Sequence, residues 1–132
     1  MKVFLDTNIL LDLILKREGC NEAIVILNAI ELKLFDGFIL DITVLNIDYI
    51  AKAQVKHIRD FLRLVNDTIT VLGGNNQTIR DALSIKNLDL EDNMQYISAK
   101  NLACDMIVTN DMSFYGGDID QYSSAEFVDK YI

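Results

Sequence analysis

The sequence predicts an α/β fold built on a parallel sheet. Short apolar runs alternate with longer amphipathic ones, the pattern of strands joined by helical crossovers. There is no Pro, repeat or low-complexity linker, so the 132 residues read as one domain, 1–132. A hydrophobic fraction of 51% is ample for a core, and 24% charged residues place the chain outside the disordered class.

The elements follow in order. Val3 to Leu5 reads as a strand buried on both faces, and Asn8 to Lys16 as a helix. Asn21 to Phe35 is a second helix, apolar almost all round through Ala23-Ile24-Val25-Ile26-Leu27 and Ala29-Ile30. Such a helix is either sandwiched or part of an interface, and a homodimer is expected. Phe38 to Leu40 is the next strand, followed by helical stretches from Thr43 to about Ala53 and on to Val65. Ile69 to Leu72 is a third strand, closed by Gly73-Gly74. Asn76 to Lys86 and Asp89 to Ala103 are helices, the latter with Leu90, Met94 and Ile97 on one apolar stripe. Met106 to Val108 is a strand, and after Gly116-Gly117 a tail around Tyr122 leads to a helical turn or two from Ser124 to Tyr131.

The net charge of -8 counts against a protein that coats nucleic acid, which needs a basic footprint. It does not count against an enzyme that acts on nucleic acid, because clustered carboxylates are neutralised by the cations they bind. An acidic surface also suits a basic protein partner. Asp6 interrupts the N-terminal apolar run too early for a secretory segment, and no run approaches the ~20 apolar residues of a membrane helix. With Cys20 and Cys104 read as buried or half-buried thiols, a cytoplasmic protein with no membrane contact is expected.

Asp6 immediately follows the first strand and Asp111 lies three residues past Val108. Both fall at the carboxyl edge of a parallel sheet, where such folds do chemistry. Asp92 is in the first turn of its helix on the face of Tyr96, Ala99 and Ala103, opposite the Leu90 stripe. A helix apolar on two sides is buried on both, which would leave Asp92 lining a pocket, with Asp89 near the same face. Asp89 is also a good N-cap, and Glu91 is accounted for by the helix dipole. Taken singly, each aspartate is equally well a polar loop residue. Together they would raise one another's pKa unless a cation joined them. Mg²⁺ or Mn²⁺ fits an all-oxygen set, whereas one histidine, His57, and no Cys/His spacing make zinc improbable. Metal so held can activate water against a phosphodiester.

Three segments carry a resemblance: Phe4-Leu5-Asp6-Thr7-Asn8-Ile9-Leu10, Asp89-Leu90-Glu91-Asp92-Asn93-Met94-Gln95-Tyr96, and Ile107-Val108-Thr109-Asn110-Asp111 with Phe114. In order and spacing the chain resembles the PIN-domain family of metal-dependent ribonucleases, which includes toxins of toxin–antitoxin pairs. The resemblance implies a three-layer α/β/α sandwich with strand order 3-2-1-4-5. It implies that Asp6, Asp92 and Asp111 bind metal, that Asn8 and Thr109 support them, and that RNA is the substrate and an antitoxin a partner. One departure stands out. The family usually has a glutamate on the helix after the second strand, and here that position is Asn46, which brings no charge and cannot act as a base. Asp41, at the end of that strand, is the expected substitute. Asn46 with Tyr49 also resembles a subgroup of the family that carries Asn there.

Lys52, Lys56, Arg59 and Arg63 recur at i, i+4, i+7 and i+11, a basic stripe opposite Val55, Ile58, Phe61-Leu62 and Val65. A solvated outer face is the default for such a stripe, and RNA phosphates are its alternative partner. Asp118-Ile119-Asp120 reads as a turn, since the other positions of a calcium loop are missing. Two further functions compete with the ribonuclease. Asn46 would fit a catalytically weakened domain that binds RNA or a protein. A phospho-accepting receiver shares the size and fold class, but it needs an aspartate ending the third strand, where Leu72 leads into Gly73-Gly74.

Overall fold

The computed structural model describes residues 1–132. Strands β1 (Lys2–Leu5), β2 (Asp36–Leu40), β3 (Thr70–Leu72), β4 (Met106–Val108) and β5 (Asp120–Tyr122) form one parallel sheet in the order β3-β2-β1-β4-β5. The helices are α1 (Thr7–Ile14), α2 (Cys20–Glu31), α3 (Asp41–Ala51), α4 (Ile58–Thr68), α5 (Asn76–Leu83), α6 (Leu90–Asn101) and α7 (Ser124–Tyr131).

The alternation of strand side chains sorts them into two cores. Val3, Leu5, Ile39, Met106 and Val108 face one side, packed with Ile9 of α1, Ile26 of α2, Ile47 of α3, Val65 of α4 and Phe127 of α7. Phe4, Phe38, Leu40 and Ile107 face the other, packed with Ala82 of α5 and Tyr96, Ile97 and Ala99 of α6. The result is the expected three-layer α/β/α sandwich, and β1 at its centre is apolar on both faces because both are covered. In register, Phe4 lies between Phe38 and Ile107 and Leu5 beside Val108, so β1 and β4 end side by side. Asp6 follows directly, its amide donating to the Val108 carbonyl at 3.0 Å.

Local chemistry sets the helix starts. Asn75 and Thr78 form a capping box on α5, Asp89 caps α6 through the Asp92 amide, and Ser123 caps α7 through the Glu126 amide.

Three expectations change. The predicted basic stripe does not lie on one helix: Lys52 caps the end of α3, Lys56 is in the connection, and only Arg59 and Arg63 are on α4. A single helix over residues 41–68 would run ~40 Å, far past the ends of strands only three to five residues long, so the crossover must fold back. Leu90 is 41% exposed, and the buried stripe of α6 begins below it. The tail around Tyr122 is strand β5, paired through Met106↔Asp120, with Asp118 turned onto Tyr96 ahead of it.

Candidate active site

Asp6 occupies the N-cap position of α1 but does not cap it; its carboxylate turns to other elements. Oδ2 accepts a hydrogen bond from the Thr109 hydroxyl just past β4 (2.8 Å), and Oδ1 accepts one from Gln95 Nε2 of α6 (3.2 Å). With 2% of its surface exposed, Asp6 has its pKa pushed up by burial to about 6, against the pull of those two donors. The charge of Glu91 adds to the rise.

Asp92 is buried, and its amide, not its carboxylate, is used by the Asp89 cap (3.1 Å). Burial pushes Asp92 up to about 7, and the charges of Asp6, Asp89, Asp111 and Glu91 push the same way. Carboxylates from the residue after β1, from α6 and from the loop after β4 thus lie close enough in space for their charges to act on Asp92. Asp111 nonetheless spends an oxygen on its own loop: Oδ1 accepts from the Ser113 amide (2.9 Å) and hydroxyl (2.7 Å). Its own amide donates to Thr109 Oγ1 at 3.1 Å, which ties the loop to the residue that holds Asp6.

The remaining candidates separate. Thr109 is buried against Asp6, whereas Asn8 is exposed and makes no side-chain hydrogen bond to the acids. Asp41 is exposed at the start of α3, beside Gly73. It is not the acid that meets Asn46. That acid is Glu91, whose Oε1 accepts from Asn46 Nδ2 (2.7 Å) and from the Thr7 hydroxyl (3.0 Å). Lys52 lies over the exposed Tyr49 ring, 5.9 Å from its centroid. Arg59 and Arg63 line a cleft between α3 and α4 with Val44, Leu45, Asp48 and Leu62, and Arg63 is paired with Asp60. His57 is exposed at the start of α4.

Sequence reasoning missed Thr7, Glu91 and Gln95. From the sequence Glu91 reads as an acid favoured by the helix dipole, a role its first-turn position also satisfies. Gln95 is fully buried on a helix whose apolar stripe dominates its pattern; one turn from Asp92, it is marked by the same helical spacing. Its Oε1 is the only buried side-chain polar atom without a hydrogen-bond partner. Asn110 was also missed as an organiser: it accepts from the Ser124 amide (2.9 Å) and donates to Asp12 (3.3 Å), joining the β4 loop to α7 and α1.

In its chemistry the donor set is that of a hard divalent cation: carboxylate and amide oxygens with no Cys or His among them, and mutual repulsion for a cation to relieve. The side chains as they stand do not close three acids around one point.

The family description "PIN domain" matches residues 2–113. The chain is 30% identical over 139 residues to "Ribonuclease VapC1" of Aquifex aeolicus (strain VF5), covering 98% of this chain and 95% of that protein. Among solved structures, a "Toxin-antitoxin complex from Klebsiella pneumoniae" superposes with a TM-score of 0.71 at 20% identity, covering 92% of this chain and 97% of that one. "Crystal Structure of FitAcB from Neisseria gonorrhoeae" does so with a TM-score of 0.65 at 18% identity, covering 93% and 98%.

Proposed function

This chain belongs to the PIN-domain family, and from that premise we propose that it is a divalent-metal-dependent endoribonuclease, the toxin of a toxin–antitoxin pair. What supports the proposal is that Asp6, Asp92 and Asp111, acids far apart in sequence, lie near enough at the carboxyl edge of β1 and β4 for the charges of Asp6 and Asp111 to act on Asp92.

In this reading Asp6 and Asp92 hold Mg²⁺ or Mn²⁺, with Asp111 the third acid. When bound, the ion supplies a nucleophilic water and neutralises charge on the phosphodiester. The chain's own part is to place oxygens. Thr109 and Gln95 fix Asp6 from two sides so that its carboxylate meets the pocket in one orientation. Asp89 and Ser113 hold the segments that carry Asp92 and Asp111. The exposed Tyr49 ring, one turn along α3 from Asn46 and with Lys52 over it, offers a surface on which an RNA base would stack, with Lys52 at a phosphate. An antitoxin with a basic or amphipathic segment would suit the acidic surface. The apolar side chains that α2 leaves exposed, Ile24, Val25 and the adjacent Leu32, are the surface for a homodimer.

The test is cleavage of single-stranded RNA by the purified chain with Mg²⁺ or Mn²⁺. Activity is expected to vanish with chelator and to fall at least ~100-fold in Asp6→Asn. RNA left intact under every metal, by wild type and Asp6→Asn alike, would rule out the nuclease. The second reading, a domain that binds RNA or protein without cutting, is favoured only by Asn46, and in that outcome it would stand.

A further inference from the structure

We propose that Glu91 supplies the fourth carboxylate of this pocket, reaching from α6 to the place on α3 where Asn46 brings no charge. The inference rests on the metal-dependent reading above and names a residue that reading does not include.

Glu91 is gripped as a surface acid is not. Its Oε1 accepts two hydrogen bonds from two other helices, from Asn46 Nδ2 at 2.7 Å and from Thr7 Oγ1 at 3.0 Å. The Thr7 hydroxyl has one proton, and giving it to Glu91 leaves its oxygen to accept from Thr43 Oγ1 at 2.8 Å. Thr43 is fully buried and Thr7 is 5% exposed, so the direction of this relay is fixed inside the protein, and it ends on Glu91. Oε2 receives no hydrogen bond, which leaves one oxygen of an otherwise immobilised carboxylate free. An acid that merely favours the helix dipole needs only exposure at the first turn and no such arrangement.

The pair also accounts for the asparagine. A carboxylate at position 46 would face Glu91 at hydrogen-bond distance, and two like charges there would repel. Only one of the two positions can carry the acid, and the other must donate to it. Asn46 is therefore the holder of the charge and Glu91 its bearer. The raised pKa values of Asp6 and Asp92, to which the Glu91 charge contributes, agree with its place beside them.

The experiment is a calorimetric Mn²⁺ titration of the full chain, with RNA cleavage and thermal melts in parallel, on wild type, Asp6→Asn, Glu91→Gln and the transposed pair Asn46→Glu/Glu91→Gln. Glu91→Gln is expected to weaken Mn²⁺ binding ~10-fold or more, while the transposed pair, which keeps one charge and one donor, returns to within about threefold of wild type. Melts report whether each variant is folded. If Glu91→Gln does not fold, the transposed pair alone decides: wild-type-like Mn²⁺ binding supports the assignment and its loss overturns it. Wild-type Mn²⁺ affinity in Glu91→Gln, with Asp6→Asn defective, overturns the Glu91 assignment and leaves the metal reading intact. No Mn²⁺ binding by wild type overturns both.

Discussion

Asp92 and Asp6 have carboxyl groups raised to about 7 and about 6 from an ordinary 3.8, the first by burial and then by neighbouring charge, the second mainly by burial. For an acid whose folded pKa lies above its unfolded one, the folded state holds the proton more tightly between the two values. Stability is therefore fully present below pH ~4 and is lost as pH rises toward 7. The metal-free protein is expected to melt at lower temperature at pH 8 than at pH 5, as followed by circular dichroism. Asp92→Asn should recover of order 1 kcal/mol at pH 8 once solvent screening is discounted, about 4 °C for a domain of this size. A melting temperature that rises from pH 5 to pH 8 in the metal-free wild type would contradict the assignment. Thr109 is the neighbour that most lowers Asp6. Thr109→Val deletes that donor and should cost ~1–3 kcal/mol by urea unfolding at pH 7. It should also move the acidic limb of the cleavage profile to higher pH, since Asp6 would then ionise less readily.

At the scale of elements, α6 organises the pocket. Its first turn presents Glu91 and Asp92 and its second Gln95, while Tyr96 and Ala99 anchor it to the sheet. Asp89 caps that turn, and Asp89→Ala should cost ~1 kcal/mol in urea unfolding. It should reduce cleavage as well, because the cap bond ends on the Asp92 amide. At the other end, the β4–β5 loop approaches α6 so closely that a Cβ on Gly117 would lie 2.5 Å from the Tyr96 hydroxyl, and Gly117 has φ +51°. Gly117→Ala combines steric overlap with a left-handed backbone and is expected to destabilise by ~1–3 kcal/mol. The break between α3 and α4 leaves Lys52, at the C-cap of α3, as the cation of the predicted stripe nearest to Asn46 in the chain. Lys52→Ala should raise KM for RNA several-fold with kcat little changed, and lower the salt dependence of binding by about one charge. An Arg63→Ala change, removing a side chain already paired with Asp60, should do less.

At the scale of the molecule, β1 and β4 lie side by side, so the loops after them and the start of α6 share one edge of the sheet. No helix is long and apolar enough to cross a membrane. A cation bound only by the folded arrangement must stabilise it by mass action. At pH 8, Mn²⁺ at 100 times its Kd should add ~2.7 kcal/mol, and Asp6→Asn should abolish the increment. The exposed apolar side chains of α2 predict a dimer by light scattering, which Ile24→Asp would convert to monomer.

Features governed by local rules are legible in the amino-acid order. The buried strands β1, β2 and β4 show as apolar runs, the α6 cap as Asp89, and the edge position of Asp6 and Asp111 as their distance past a strand. The fifth strand, implied by the resemblance, does not show in its own residues because Asp120–Tyr122 has no apolar run; its pairing with β4, not its composition, makes it a strand. Which side chains meet follows from packing in three dimensions. Asn46 and Glu91 are 45 residues apart and Asp6 and Gln95 are 89 apart, and no periodicity links them. Packing brings α1, α3 and α6 to one place, and there the partner of a carboxylate is chosen by distance in space.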